Sequence, residues 1–154
     1  MKPSSVAALE REALRAAEAK ADAIAFAEAH LSAIAFIEEH LYEPTSVKSI
    51  AANSGFSPSQ FSRRFTRLQG ESVMAYVRGR RLEGAMRRVL TEPGMRLVDL
   101  AFDCCFDSQE AFTRAFARAF GQTPGHLQRS GAARPLVRKR KVLTEKPTIH
   151  ERIA

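Results

Sequence analysis

Two arginines, Arg63 and Arg114, occupy the same place in a motif that occurs twice. Phe61-Ser62-Arg63-Arg64-Phe65 is followed after four residues by Gly70, and Phe112-Thr113-Arg114-Ala115-Phe116 after four by Gly121, so every shared position is offset by 51. The lead-in repeats as well, offset by 50: Ile50-Ala51 matches Leu100-Ala101, and Gly55-Phe56-Ser57 matches Cys105-Phe106-Asp107. A guanidinium carries a planar fork of donors that fits guanine O6 and N7 with two parallel hydrogen bonds. On a helix, a residue two places after an inward Phe lies on the opposite side. Ser59, Ser62, Gln109, Glu110 and Thr113 share that outer side near the helix starts. A single arginine so placed reads equally well as solvated surface. The same placement twice, with a cap ahead and a glycine behind, reads as one DNA-contacting unit used twice.

Other chemistry finds less support. His30, His40, His126 and His150 share no ligand or triad spacing, and many of the acidic residues fall in an alanine-rich stretch with the character of a solvated helix. No catalytic residue, metal site, cofactor or small-molecule ligand is expected. Cys104 and Cys105 are adjacent, which argues against an intrachain bridge and for reduced thiols.

The elements that position the two arginines follow from caps and periodicity. Ser46 is expected to cap a short helix Val47–Asn53, and Gly55 to supply the left-handed residue after it. Ser57 caps the next helix, with Pro58 first and Gln60 three after the cap, a capping box. That helix is expected to end at Gly70. Ser72 caps a longer helix to about Leu90, apolar at Val73, Tyr76, Val77, Leu82, Met86 and Val89 and basic at Arg78, Arg80, Arg81, Arg87 and Arg88. Pro93-Gly94 turns the chain into a short helix, about Arg96–Cys104. Asp107 is expected to cap the second recognition helix with Glu110 three later, and Thr123-Pro124 opens a last helix to about Arg129. In the second unit Cys105 stands where the first has Gly55. A Cβ at positive φ costs on the order of 1 kcal/mol, so either that turn differs or the second unit is less stable.

The predicted fold is all-α: two helix-turn-helix subdomains joined by a long linker helix, about seven core helices, plus an alanine-rich N-terminal helix. Residues 1–30 form the N-terminal extension, and 31–130 the DNA-binding domain. Within it, 31–71 is the first unit, 72–91 the linker helix and 92–130 the second unit. Residues 131–154, with the block Arg138-Lys139-Arg140-Lys141, read as a basic disordered tail or linker. Thirteen alanines lie between Ala7 and Ala35, and the first helix that clearly joins a core is about Ser32–Leu41, closed by Pro44. Deleting residues 1–28 is therefore expected to leave recognition intact.

Charge divides along the same lines. Residues 1–45 carry 4 basic and 8 acidic side chains, 46–130 carry 13 and 7, and 131–154 carry 7 and 2, for a net charge of +7 overall. The positive charge belongs to the repeated unit and the tail, as suits a polyanion. No apolar run approaches a membrane span, and no signal peptide precedes the first helix, so a cytoplasmic, nucleoid-associated protein with no membrane partner is expected. The linker helix of about 18 residues is ~27 Å long, enough with its end loops to hold two helices one DNA turn, ~34 Å, apart. One chain could then use two successive major grooves without a dimer.

The runs SIAANSGFSPSQFSRRFTRLQGES and FDSQEAFTRAFARAFGQTP resemble the DNA-binding domain of the AraC/XylS transcription regulators, nearest the MarA–SoxS–Rob group. The resemblance covers residues from about 32 to 129. It implies seven helices, monomeric binding to an asymmetric promoter site, and usually activation through RNA polymerase; the two grooves that the linker helix spaces make that site about 20 base pairs long. By position it carries base contacts onto Ser59, Ser62, Arg63, Gln109, Glu110, Thr113 and Arg114. Phosphate contacts are expected from Ser57, Arg64, Arg67, Arg78 and Arg118. Two departures stand out. That group often has tryptophan at the position of Ser59 and glutamine at that of Glu110; a carboxylate there repels phosphate and favours a cytosine amine. The alternatives are the DNA-binding fragment of a larger Rob-like regulator without its C-terminal effector domain, or a non-specific DNA-binding or interaction module.

Overall fold

A single helix, α1, runs without a break from Pro3 to Glu39. The computed structural model describes residues 3–131 of the chain, and within them all regular structure is helical. Six helices follow: α2 (Val47–Ala51), α3 (Pro58–Gln69), α4 (Val73–Thr91), α5 (Leu97–Asp103), α6 (Gln109–Phe120) and α7 (Pro124–Ser130). None is long and apolar enough to cross a membrane.

The continuity of α1 corrects the expected break near residue 30. The alanine-rich stretch and the first core helix are one element, so the described residues hold seven helices in all rather than seven plus one. The reason is local: no glycine or proline interrupts residues 4–39, and helix formers dominate. Phe26, Ala33 and Ile37 fall on one stripe of α1 and are all buried. Phe26 lies 5.2 Å from Phe56 and 5.8 Å from Phe61, ring centre to ring centre. Deletion of residues 1–28 would thus cut into the first core rather than trim an appendage.

Two cores form, one for each unit. The first joins Phe26, Ile37, Leu41, Ile50, Phe61, Phe65, Val73, Tyr76 and Val77. The second joins Leu82, Ala85, Met86, Val89, Leu100, Cys104, Phe112, Phe116, Phe120 and Leu127. α4 feeds both, its first half facing one core and its second half the other, as a linker helix apolar along its length must. The Arg138–Lys141 block and the tail lie outside the described residues.

Candidate nucleic-acid interface

The two recognition helices, α3 and α6, are built by the same local devices. Ser57 caps α3: its Oγ accepts from the Gln60 N–H at 3.2 Å, while the Gln60 side chain accepts from the Ser57 N–H at 3.1 Å. The cap of α6 is Ser108, whose Oγ accepts from the Ala111 N–H at 3.1 Å, and not Asp107 as expected. Glu110 then falls second in the helix, too early to close a capping box, and stands free to face outward in the first turn. Gly70 and Gly121 end the two helices with φ of 81° and 82°. Phe61, Phe65, Phe112 and Phe116 have no exposed surface. Each pair, spaced i, i+4, fixes the roll of its helix against its core and so turns Arg63 and Arg114 outward.

The turn ahead of α6 keeps the geometry of the turn ahead of α3. Gly55 has φ of 76° and Cys105 of 60°, the one non-glycine positive φ among the described residues. The strain is met by a contact from the other unit. The Cys105 thiol donates to the Tyr42 carbonyl at 3.3 Å. The carbonyls on either side are also held: Arg81 donates from Nε to Leu41 O at 2.6 Å and from a terminal nitrogen to Glu43 O at 2.7 Å. Three successive carbonyls of the α1–α2 connection are therefore bonded to the linker helix and the second unit. Tyr42 leans on Gly84 of α4 so closely that a Cβ there would lie 1.9 Å from its hydroxyl. Arg80 adds an ion pair to Glu38 at 2.7 Å and a second to Glu83. This clamp sets the angle between the two units, and with it the relation of α3 to α6.

Arg81 was read from sequence as part of a basic face, and the structure buries it. The signal that could have found it is its spacing: it stands four after Val77 and four before Ala85, inside the apolar stripe. Tyr42 and Cys105 carry no such signal, because their partners are 42 and 63 residues away.

The remaining residues divide into two groups. On α3, Ser59 and Arg63 are exposed and Ser62 is half-buried on the outer side; Ser57 is at the cap and Arg67 exposed in the last turn. On α6, Gln109, Glu110, Thr113 and Arg114 come together around one shallow hollow. A larger open cleft between the units is lined by Arg78 of α4 and by Arg114 and Arg118 of α6. Arg64, expected on phosphate, is instead engaged within the protein. Its guanidinium pairs with Asp22 of α1 at 2.6 Å and stacks 4.8 Å from the Phe56 ring and 5.5 Å from the Phe26 ring. That position ties α1 to α3 and leaves Arg63 and Arg67 as the outward cations of the helix.

Two helix-turn-helix units joined by one linker helix, each presenting the start of a capped arginine helix, define a DNA-binding domain of the paired type. The comparisons agree. Residues 50–130, a little over half of the chain, match a helix-turn-helix domain family. The right origin-binding protein of Escherichia coli K12 is 38% identical over 92 residues, which are 58% of this chain and 31% of that protein. The probable transcription factor PqrA of Proteus vulgaris is 36% identical over 89 residues, covering 58% of this chain and 72% of that one. Among solved structures, the DNA-binding domain of the global transcriptional factor AdpA, in complex with a target DNA, superposes with a TM-score of 0.60 at 28% identity, covering 66% of this chain and 90% of that one. The chain belongs to the AraC-type helix-turn-helix family. It spans about a third of the length of the Escherichia coli relative, 31%.

Proposed function

We propose that this protein is a transcriptional regulator that reads an asymmetric promoter site with both recognition helices of one chain, in the bacterial cytoplasm and on the nucleoid. The observation that carries the reading is the duplication itself: α3 and α6 share cap, terminating glycine, buried Phe pair and outward arginine, on a frame whose two halves are clamped. A clamped pair suits two successive major grooves on one face of about 20 base pairs. Ser59, Ser62 and Arg63 face bases in one groove, and Gln109, Glu110, Thr113 and Arg114 in the other. Arg67, Arg78 and Arg118 meet phosphates, with Ser57 at the α3 N-terminus. Activation through contact with RNA polymerase is the mode we infer from the AraC/XylS resemblance; the likeness to the probable transcription factor PqrA supports a role in transcription only.

DNA selection from a random library, followed by footprinting of the winner, tests this. The expected product is one asymmetric motif with two protected major grooves. Arg63→Ala and Arg114→Ala should each weaken the selected site by about 1–3 kcal/mol while leaving the fold intact. A half-length motif would show that the second unit, with Glu110 in place, does not read bases. Recovery of no motif, with steeply salt-dependent binding, would favour a non-specific module instead.

A further inference from the structure

Among the described residues, the first half of α1 has nothing to pack on. From Ser5 to Ala25 every residue but Ala7 is exposed. This stretch continues a helix already packed from Phe26 onward, and in proteins most helical stability comes from burying one face. The face it offers is ordered. Leu14, Ala17, Ala21, Ile24, Glu28, Leu31 and Ala35 follow one another at alternating steps of three and four, a heptad stripe over three repeats. Leu14, Ile24 and Leu31 are 61%, 52% and 70% exposed. At ~100° per residue the stripe lies on the side of α1 opposite Phe26, Ala33 and Ile37, which face the first core. Leu31 is the most telling, because it lies along the part of α1 whose other side is already packed.

We propose that this stripe pairs with the same stripe of a second copy of the chain, antiparallel, about a two-fold axis that crosses α1 between Asp22 and Ala23. Charge chooses the direction. A parallel pair in register would set Glu28 against Glu28 of the second copy in the apolar seam. In the antiparallel pair Leu14 meets Leu31 of the second copy, Ala21 meets Ile24, and Ala17 meets Glu28; each contact occurs twice, as an isologous interface requires. The small Ala17 leaves room for the Glu28 side chain. Lys20 of the same helix as that Ala17 stands three residues along, ~4.5 Å, within reach of the carboxylate. Neither Lys20 nor Glu28 has an ion-pair partner among the described residues. Sliding the helices by one heptad would set Glu28 against Ile24 in one direction and against Glu10 in the other, so the charges select the register too. In this pair the projecting half of each α1 lies along the packed half of the other, and the two DNA-binding bodies sit on the outer sides. The dimer goes beyond the reading of one site by one body, since it joins two such readers.

The test is the mass of the full chain in solution by sedimentation equilibrium, from low- to high-micromolar protein. A reversible dimer is expected. Leu31→Glu should abolish it, and Glu28→Lys should weaken it roughly tenfold or more by setting like charges together. Adding Lys20→Glu to Glu28→Lys should restore the dimer. Residues 20 and 28 are ~12 Å apart along one helix, so that rescue comes only from contact between copies. Circular dichroism melting of each variant confirms that the body still folds, since all three positions are exposed. A chain that stays monomeric at high-micromolar protein overturns the proposal, leaving the stripe to a different partner. So does a dimer indifferent to Leu31→Glu, or a double variant that fails to recover while folding normally.

Discussion

Arg81→Met isolates the clamp between the two units. The substitution keeps most of the unbranched stem that packs in the apolar stripe of α4 and removes the guanidinium that serves Leu41 O at 2.6 Å and Glu43 O at 2.7 Å. Hydrogen bonds from a charged donor contribute about 1.5–3 kcal/mol each, and carbonyls left without a partner in a largely buried site add to the loss. Allowing that Glu43 O can regain water, we expect a loss of about 3 kcal/mol. For a domain of this size that lowers the melting temperature by roughly 10–20 °C. Arg81→Lys should fall between, because an ammonium cannot span two carbonyls as the planar fork does. Thermal melting by circular dichroism gives the stability. Titration of the full selected site against each half-site gives the geometry: loosening the clamp should weaken the full site more than either half. Arg78→Met, on the same helix but exposed, is the control, expected to change DNA affinity and salt dependence and not melting. If Arg81→Met melted within about 3 °C of the parent chain, as a solvated surface arginine would, the clamp would be wrong.

Three further outcomes are expected. Phe116→Ala should cost about 3–5 kcal/mol, since its ring is fully buried 5.7 Å from Phe112 and 4.7 Å from Phe120; an unmoved denaturation midpoint would contradict the assigned core face. Burial holds the His30 imidazole below its ordinary 6.5, partly offset by a hydrogen bond with Gln69. The unfolded chain therefore takes up that proton more readily, so stability is full above pH about 6.5 and falls as the pH drops below it. Melting of His30→Leu and the parent from pH 7.5 to about pH 5 should show the parent losing more, and parallel curves would refute the role of His30. The Cys104 thiol is pushed up to about 11 by burial, while Cys105 is half-buried. A haloacetamide at neutral to mildly basic pH should therefore modify Cys105 first, leaving Cys104 until the chain is denatured; equal labelling by peptide mapping would refute the difference.

Much of the fold was legible because its signals are local. Ser46, Ser57, Ser72 and Thr123 each accept a backbone N–H three residues on, an interaction that needs only neighbours in sequence. Gly70 and Gly121 end α3 and α6 for the same kind of reason, and the paired phenylalanines set which side faces inward. The outward side of each recognition helix followed, and with it Arg63 and Arg114. The Ser108 cap was missed by one residue because Asp107 and Ser108 are both good caps, and the approach of the chain from the Cys105 turn decides between them. The unbroken α1 has its signal in the lack of any glycine or proline over residues 4–39, where helix propensity outweighs the sparseness of large apolar side chains.

The fate of the other arginines was beyond local reasoning. Arg63 and Arg64 are neighbours of identical chemistry, yet one faces outward while the other is held by Asp22 and two phenylalanine rings. Arg78 and Arg81 lie one turn apart on α4, yet one is exposed and the other buried on backbone carbonyls forty residues earlier. Cys105 tolerates a left-handed backbone in a turn tied through its thiol to Tyr42 of the other unit. The sequence by itself determined the helices, their caps and the duplicated reading face, since these rest on contacts within about four residues. Only the tertiary structure decided which cations remain for DNA and how the two units are angled, since those depend on partners that folding brings from far along the chain.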